Sequence, residues 1–344
     1  MVTEFPLTET AATTPQQIQA ARDRGVAYLL TRQREDGAVG NPEAEGGLGP
    51  YYKTIWALAA GGQPEAANRL ATWVRDNVQT DSGDFAGPLR GTMHDSNYAY
   101  PNAWLLIGAQ KLGRFDLFTR GMRFLATLQH AETGGFRMQR DRDDAIQDVL
   151  NASQAGNALL LDGRIDDALR VGAFLRVMWD AQPHPERELF FVYKPGVGLR
   201  TEFAAERQRM HSIRIDTPRQ MYFNIGIAAA FLSRLTMATG DAAWADLGKR
   251  YLEIGFHVLD EMYETAQVGK VGWGAALVYG VTGEERYRAL AERVGGAMIA
   301  QQTESGGWDN TGGYVNEGIR TEVTAEFTVL LDEMAGGLGM RPKE

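Results

Sequence analysis

The sequence predicts an all-α fold: an (α/α)6 toroid of six helical hairpins, with a small β-hairpin inserted near residues 188–203. Two observations lead there. A helix-ending turn recurs at intervals of about fifty residues, which marks a repeat architecture. Each interval holds one amphipathic and one wholly apolar helical pattern. No cysteine is present, so the framework must be held by packing and hydrogen bonds rather than by disulfides or thiolate-bound metal.

The recurring turns are Gln33-Arg-Glu-Asp-Gly37, Gln79-Thr-Asp-Ser-Gly83-Asp-Phe85, Gln129-His-Ala-Glu-Thr-Gly134-Gly-Phe136, a degraded copy at Gln182, and Gln302-Thr-Glu-Ser-Gly306-Gly-Trp308. The first three intervals between the glutamines are 46, 50 and 53 residues. A double interval then runs to Gln302, divided by a very degraded copy near Gln267. Amphipathic helices are expected at 15–33, 64–79, 113–129, 163–181, 241–264 and 283–302, with Pro15, Pro64, Asp241 and Glu284 suited to first turns. Between them lie apolar helices such as Ala103–Ala109, Asn157–Leu161, Ile225–Leu232 and Gly274–Tyr279. A helix apolar all round is surrounded by protein, so these form the inner shell. Gly62, Gly113, Gly163, Gly240 and Gly283 supply the turns that end them. An open α-solenoid repeats helix pairs in the same way. Closure is favoured because the inner helices show no polar concave face and six pairs suffice for a ring. Residues 1–344 then form one barrel domain, and residues 183–218 an inserted loop and hairpin over its mouth.

Composition narrows the function. The chain has 344 residues, 35 Lys and Arg against 44 Asp and Glu, and a net charge of -9, which disfavours nucleic acid as a partner. No run of about 20 apolar residues is present, so no membrane span is expected. The N-terminus lacks a basic and then apolar leader, which points to the cytoplasm. A small molecule is the expected partner, and a homo-oligomer stays open. No His-Glu-x-x-His or EF-hand spacing occurs, so neither metal nor cofactor is expected.

The Gln-x-x-x-Gly-x-aromatic signature, complete at Gln302, Gly306 and Trp308, resembles the QW motif of terpenoid cyclases and protein prenyltransferase β-subunits. That resemblance covers nearly the whole chain and concerns scaffold, since one fold hosts many activities. Prenyltransferases hold zinc with Asp, Cys and His, which the missing cysteine disfavours. Class II terpene cyclases carry an Asp-x-Asp-Asp acid motif, which Asp141-Arg142-Asp143-Asp144 matches in letter, amid Arg137 and Arg140.

In a toroid the loops entering the inner helices converge on one mouth, where the positive helix ends also point. Catalytic candidates there are Asp95, with Asp148 in the analogous place before the next inner helix, and His94, His211 and Tyr98. Either aspartate could cap its helix, or act as an acid if half-buried. Arg214 and Arg219 could clamp an anionic group and Asp216 could pair with Arg214, while Tyr222, Trp273, Trp308 and Tyr314 could line a pocket. The reading is a cofactor-independent enzyme with acid–base chemistry in a central cavity. A terpenoid-cyclase-like lyase or isomerase acting on a small isoprenoid or polyketide-like substrate comes first. A carbohydrate-active lyase or hydrolase and a non-catalytic helical binding scaffold are the alternatives.

Overall fold

A computed structural model describes residues 13–41, 45, 48–85, 97–142, 145–310 and 316–340. The outer shell is α1 (Pro15–Arg32), α4 (Pro64–Asn77), α6 (Phe115–Thr127), α8 (Ile165–Asp180), α11 (Ala242–Glu253) and α13 (Glu285–Ala300). The inner shell is α3 (Thr54–Ala60, preceded by the single turn α2, Gly49–Tyr52), α5 (Ala99–Lys111), α7 (Val149–Leu161), α10 (Phe223–Thr239), α12 (Gly269–Thr282) and α14 (Glu317–Gly339). Each inner helix packs on the next, and α14 packs on both α12 and α3, so the ring is closed.

Local chemistry explains the helix ends. Thr14 caps α1 in a reciprocal box with Gln17. Asp148, Asp241 and Asn316 accept backbone N–H groups at the starts of α7, α11 and α14. Gly240 and Gly283 stop α10 and α12 in the left-handed conformation.

The repeated glutamine staples neighbouring outer helices. Gln33 Nε2 donates to Ala66 O at 2.8 Å, Gln79 Nε2 to Leu117 O at 2.9 Å, and Gln129 Nε2 to Asp167 O at 3.0 Å. Each acceptor lies near the start of the next outer helix. Val39, Phe85, Phe136 and Trp308, which end the four fuller copies, are fully buried.

The structure departs from expectation in three places. The fifth outer helix stops at Glu253 rather than 264; Leu259 is extended and short 3-10 turns carry the chain to α12. The insertion is split: Val192–Lys194 (β3) pairs with Gly198–Arg200 (β4), while Glu188–Phe190 (β2) pairs with Ser212–Arg214 (β5). The break falls at Phe191, because Gln182 brackets Phe190 through both its N–H and its carbonyl. The edge of β3 is then taken by Gln147–Asp148 (β1). Finally, the inner helices are not uniformly apolar, as the site shows.

Candidate functional site

The N-terminal ends of the inner helices enclose a cavity of about 830 Å3. Its walls are mostly apolar, with Tyr52, Tyr100, Phe191, Phe223 and Phe327 among them.

Asp148 lines this cavity and is 8% exposed. As the N-cap of α7 it is held rigidly. Oδ1 accepts from Asn151 N at 2.7 Å and from Asn151 Nδ2 at 2.9 Å, and among the described residues no donor reaches Oδ2. Burial raises its pKa to about 6, against the two Asn151 hydrogen bonds, which favour the ionised form. The carboxyl therefore titrates close to neutrality, with one oxygen anchored and the other available to carry a proton.

His211 lines the same cavity from the end of the short helix α9 (Gln208–His211). Its ring stacks on Phe203 with centroids 4.6 Å apart. Burial lowers its pKa and the nearby Arg207 adds to that, so the ring is neutral at pH 7. One residue, Phe191, ties the backbone at His211 to that just after Asp148. Phe191 N donates to His211 O at 3.0 Å, while Phe191 O accepts from Val149 N at 3.2 Å.

The cavity also contains a buried ionic cluster that sequence reasoning missed. Lys53, just ahead of α3, donates to Glu322 Oε1 at 3.0 Å and also pairs with Glu326. Lys270, in the first turn of α12, pairs with the other oxygen of Glu326, and the Tyr52 hydroxyl donates to Glu322. All five side chains line the cavity. Burial opposes the charge on Glu326, but Lys270 and Lys53 prevail and hold it down at about 2. Lys53 faces two carboxylates and is pushed up despite burial, whereas burial, with the neighbouring Lys53, pulls Lys270 down against Glu326 and Glu322. A faint signal existed: Glu322 and Glu326 are one turn apart on an otherwise largely apolar helix, and Lys270 interrupts the apolar run from Val268 to Tyr279.

The remaining predicted residues lie elsewhere. Tyr98 donates to the buried Asp84, which Arg140 neutralises at 3.2 Å. Arg214 pairs with Asp216 at 3.2 Å on the surface. Arg219 has a left-handed backbone (φ 56°), and its N–H donates to Glu261 at 2.9 Å. The Tyr222 hydroxyl contacts Glu261 and Thr217 O at 3.3 and 3.4 Å, outside the cavity. Trp273 is fully buried beneath the Arg234 guanidinium, 5.1 Å from its ring centroid. Trp308 is fully buried and donates to Met298 O at 2.7 Å. Both indoles fill the shell between helices instead of facing the cavity. Asp141 forms an exposed pair with Arg140 at 2.8 Å. His94, Asp95, Asp143, Asp144 and Tyr314 lie outside the described residues.

Among the described residues no cluster of three His, Asp or Glu groups could hold a metal, and no helix is long and apolar enough to cross a membrane.

No known family profile matches the chain, and no curated protein matches it in sequence. Solved structures do match it in shape. A D-mannose isomerase is 12% identical over 95% of this chain and 99% of its own, with a TM-score of 0.63. A variant of the type II terpene cyclase MstE from Scytonema, bound to geranylgeranyl dihydroxybenzoate, is 14% identical over 95% of this chain and 99% of its own, at 0.60. An α-1,6-mannanase from Salegentibacter is 11% identical over 93% of this chain and 99% of its own, at 0.64. At these identities the likeness establishes the fold, an (α/α)6 toroid found in enzymes of quite different chemistry.

Proposed function

We propose that the chain is a cofactor-independent isomerase or lyase in which Asp148 is the Brønsted acid, acting on a small amphipathic isoprenoid or polyketide-like substrate. One observation carries this reading: a buried carboxyl, 8% exposed, in a largely apolar cavity, with Oδ1 fixed by two donors and Oδ2 left to hold the proton. Hydrogen bonds to Oδ1 stabilise the carboxylate that remains after transfer, which strengthens the acid. The proton adds to a carbon–carbon double bond, the resulting cation rests against the faces of Tyr100, Phe191 and Phe223, and loss of a proton elsewhere gives an isomer of the substrate. In this reading His211, on the wall of the same cavity, returns a proton to Asp148 from solvent. The terpene cyclase among the structural neighbours, solved with a prenylated dihydroxybenzoate, agrees with an apolar chamber of this size.

A carbohydrate substrate is the second reading. It is favoured by the amides Asn97, Gln139, Asn224, Gln267 and Asn310 around the cavity, which suit hydroxyl groups.

The test incubates the protein in D2O with geranylgeranyl dihydroxybenzoate, D-mannose and α-1,6-mannotriose separately. The acid reading expects an isomer of the prenylated compound carrying one solvent deuterium on carbon, lost in Asp148→Asn. Turnover of only a sugar would transfer the site to the second reading. Binding without turnover of any of the three would leave a scaffold and end the proposal.

A further inference from the structure

Lys194 and Arg207 both line the cavity, and among the described residues neither joins an ion pair. The buried lysines of the same cavity differ, since Lys53 and Lys270 are matched by Glu322 and Glu326. Strand register gives Lys194 its direction. Successive side chains of β3 face opposite sides. Tyr193 turns away to the Phe174 ring, with centroids 5.5 Å apart, so Val192 and Lys194 share the face that lines the cavity. Asp148 in β1 is directly opposite Val192. Opposite residues share a face, and the diagonal neighbour lies about 7–8 Å away, within reach of a long side chain. Lys194 is that neighbour of Asp148. Phe191 N donates to His211 O at 3.0 Å, which brings the end of α9 beside the start of β3. Arg207, directly before α9, lies within electrostatic reach of the His211 ring. The chain as a whole carries a net charge of -9, so unpaired cations at one cavity draw anions to that place and not to the rest of the surface.

We propose that Lys194 and Arg207 hold the anionic head, a carboxylate or a phosphate, of a substrate whose apolar body fills the cavity. This deepens the reading of Asp148 as the acid, on which it rests, by naming what the substrate carries. Such a head accepts hydrogen bonds from an ammonium and a guanidinium together, and charge-assisted bonds of this kind are the strong ones. Met210 and Phe191, which line the same cavity, supply apolar contact for the chain attached to it. Because Lys194 is the diagonal neighbour of Asp148, the proton goes to a double bond close to the charged head and not to the far end of the tail. Positive charge developing on that carbon is then stabilised by the bound anion.

Isothermal titration calorimetry with geranic acid, geranyl phosphate and geraniol tests this, because the three share one branched apolar tail and differ only in the head. At least one of the two anions should bind about tenfold or more tightly than geraniol, and the tighter of them tells whether the head is a carboxylate or a phosphate. Lys194→Gln and Arg207→Gln should each weaken that anion about tenfold while leaving geraniol unchanged, which shows that the cavity itself is intact. Anions that bind no better than geraniol, the case of no binding by any of the three included, would overturn the inference. So would anion affinity that survives the double replacement, or equal losses for all three ligands. Binding needs no proton transfer, and Asp148→Asn removes a carboxylate beside Lys194, so that variant should hold the anion at least as tightly as the parent. The deuterium assay and the calorimetry therefore fail separately.

Discussion

Gln302, just beyond α13, donates its side-chain amide to the carbonyl of Ala21 in α1 at 2.9 Å, and to Gly306 O at 2.8 Å. The last repeat thus docks on the first by the same staple that joins Gln33 to Ala66 and Gln79 to Leu117. In an open solenoid the terminal copy would have no next outer helix to reach. Gln302→Leu removes both hydrogen bonds and leaves a carbonyl underserved, so it should lower stability by about 1–3 kcal/mol. Urea unfolding should show a lower midpoint with unchanged slope. A midpoint equal to the parent's would mean that packing of α14 on α1 closes the ring alone.

The glycine of each such turn has a sharper role, as the Gln129 copy shows. Gly134 has φ 78°, and a Cβ there would lie 2.4 Å from the carbonyl oxygen of Arg170 in α8. Gly163 has nearly the same backbone, φ 73°, with nothing within 4 Å. Gly163→Ala therefore reports conformational strain alone, about 1 kcal/mol. Gly134→Ala adds a collision with backbone that cannot turn aside, and should lose roughly 3 kcal/mol or more. Equal losses in thermal unfolding would show that the neighbouring helix yields freely.

These turns explain why the architecture was legible. Gln79, Gly83 and Phe85 act within one local segment and on the next helix, so their spacing survives in the sequence. Asp148 was legible as a cap for the same reason, since its partner Asn151 is three residues away. Its depth of burial was not legible, because the wall over it comes from Phe191 and the inserted strands. The ionic cluster was hidden for a topological reason. Lys53 and Glu322 are 269 positions apart and meet only because the first and last inner helices are neighbours in a closed ring. Trp273 and Trp308 misled in the opposite direction: large aromatics next to loops suggest a binding platform, yet helix packing takes them into the shell.

Asp148 makes stability depend on pH with an unusual sign. Its pKa is about 6 when folded and near 3.9 when unfolded. Between those values the native state holds the extra proton, so this group's contribution falls as pH rises from about 4 to 6 and is fully unfavourable above that. Two units correspond to about 3 kcal/mol. Asp148→Asn keeps a capping oxygen and removes the titration. It should match the parent within about 1 kcal/mol at pH 4 and exceed it by about 3 kcal/mol at pH 7.5. Denaturant midpoints at four pH values would check this, and a pH-independent difference would place the Asp148 carboxyl in water rather than in the cavity. If Asp148 is the acid, the rate should also decline tenfold per unit above pH 6.

The ionic cluster predicts strong coupling between two residues on different inner helices. Among the described residues Glu326 is the carboxylate that forms an ion pair with Lys270, and it also serves Lys53. Glu326→Gln leaves two desolvated ammonium groups facing one carboxylate, Glu322, and should destabilise by about 3–5 kcal/mol. Lys270→Met alone removes a buried charge but leaves Glu326 with Lys53, which is the milder change. In the double variant the remaining charges, Lys53 and Glu322, balance as a pair with Tyr52 still donating to the carboxylate. Its loss should therefore be smaller than the sum of the single losses by roughly 1–3 kcal/mol. Guanidinium unfolding of the four proteins at pH 7 measures that term directly. A sum that is simply additive would mean that water reaches the cluster and screens it, and that α12 and α14 are joined by their apolar faces alone.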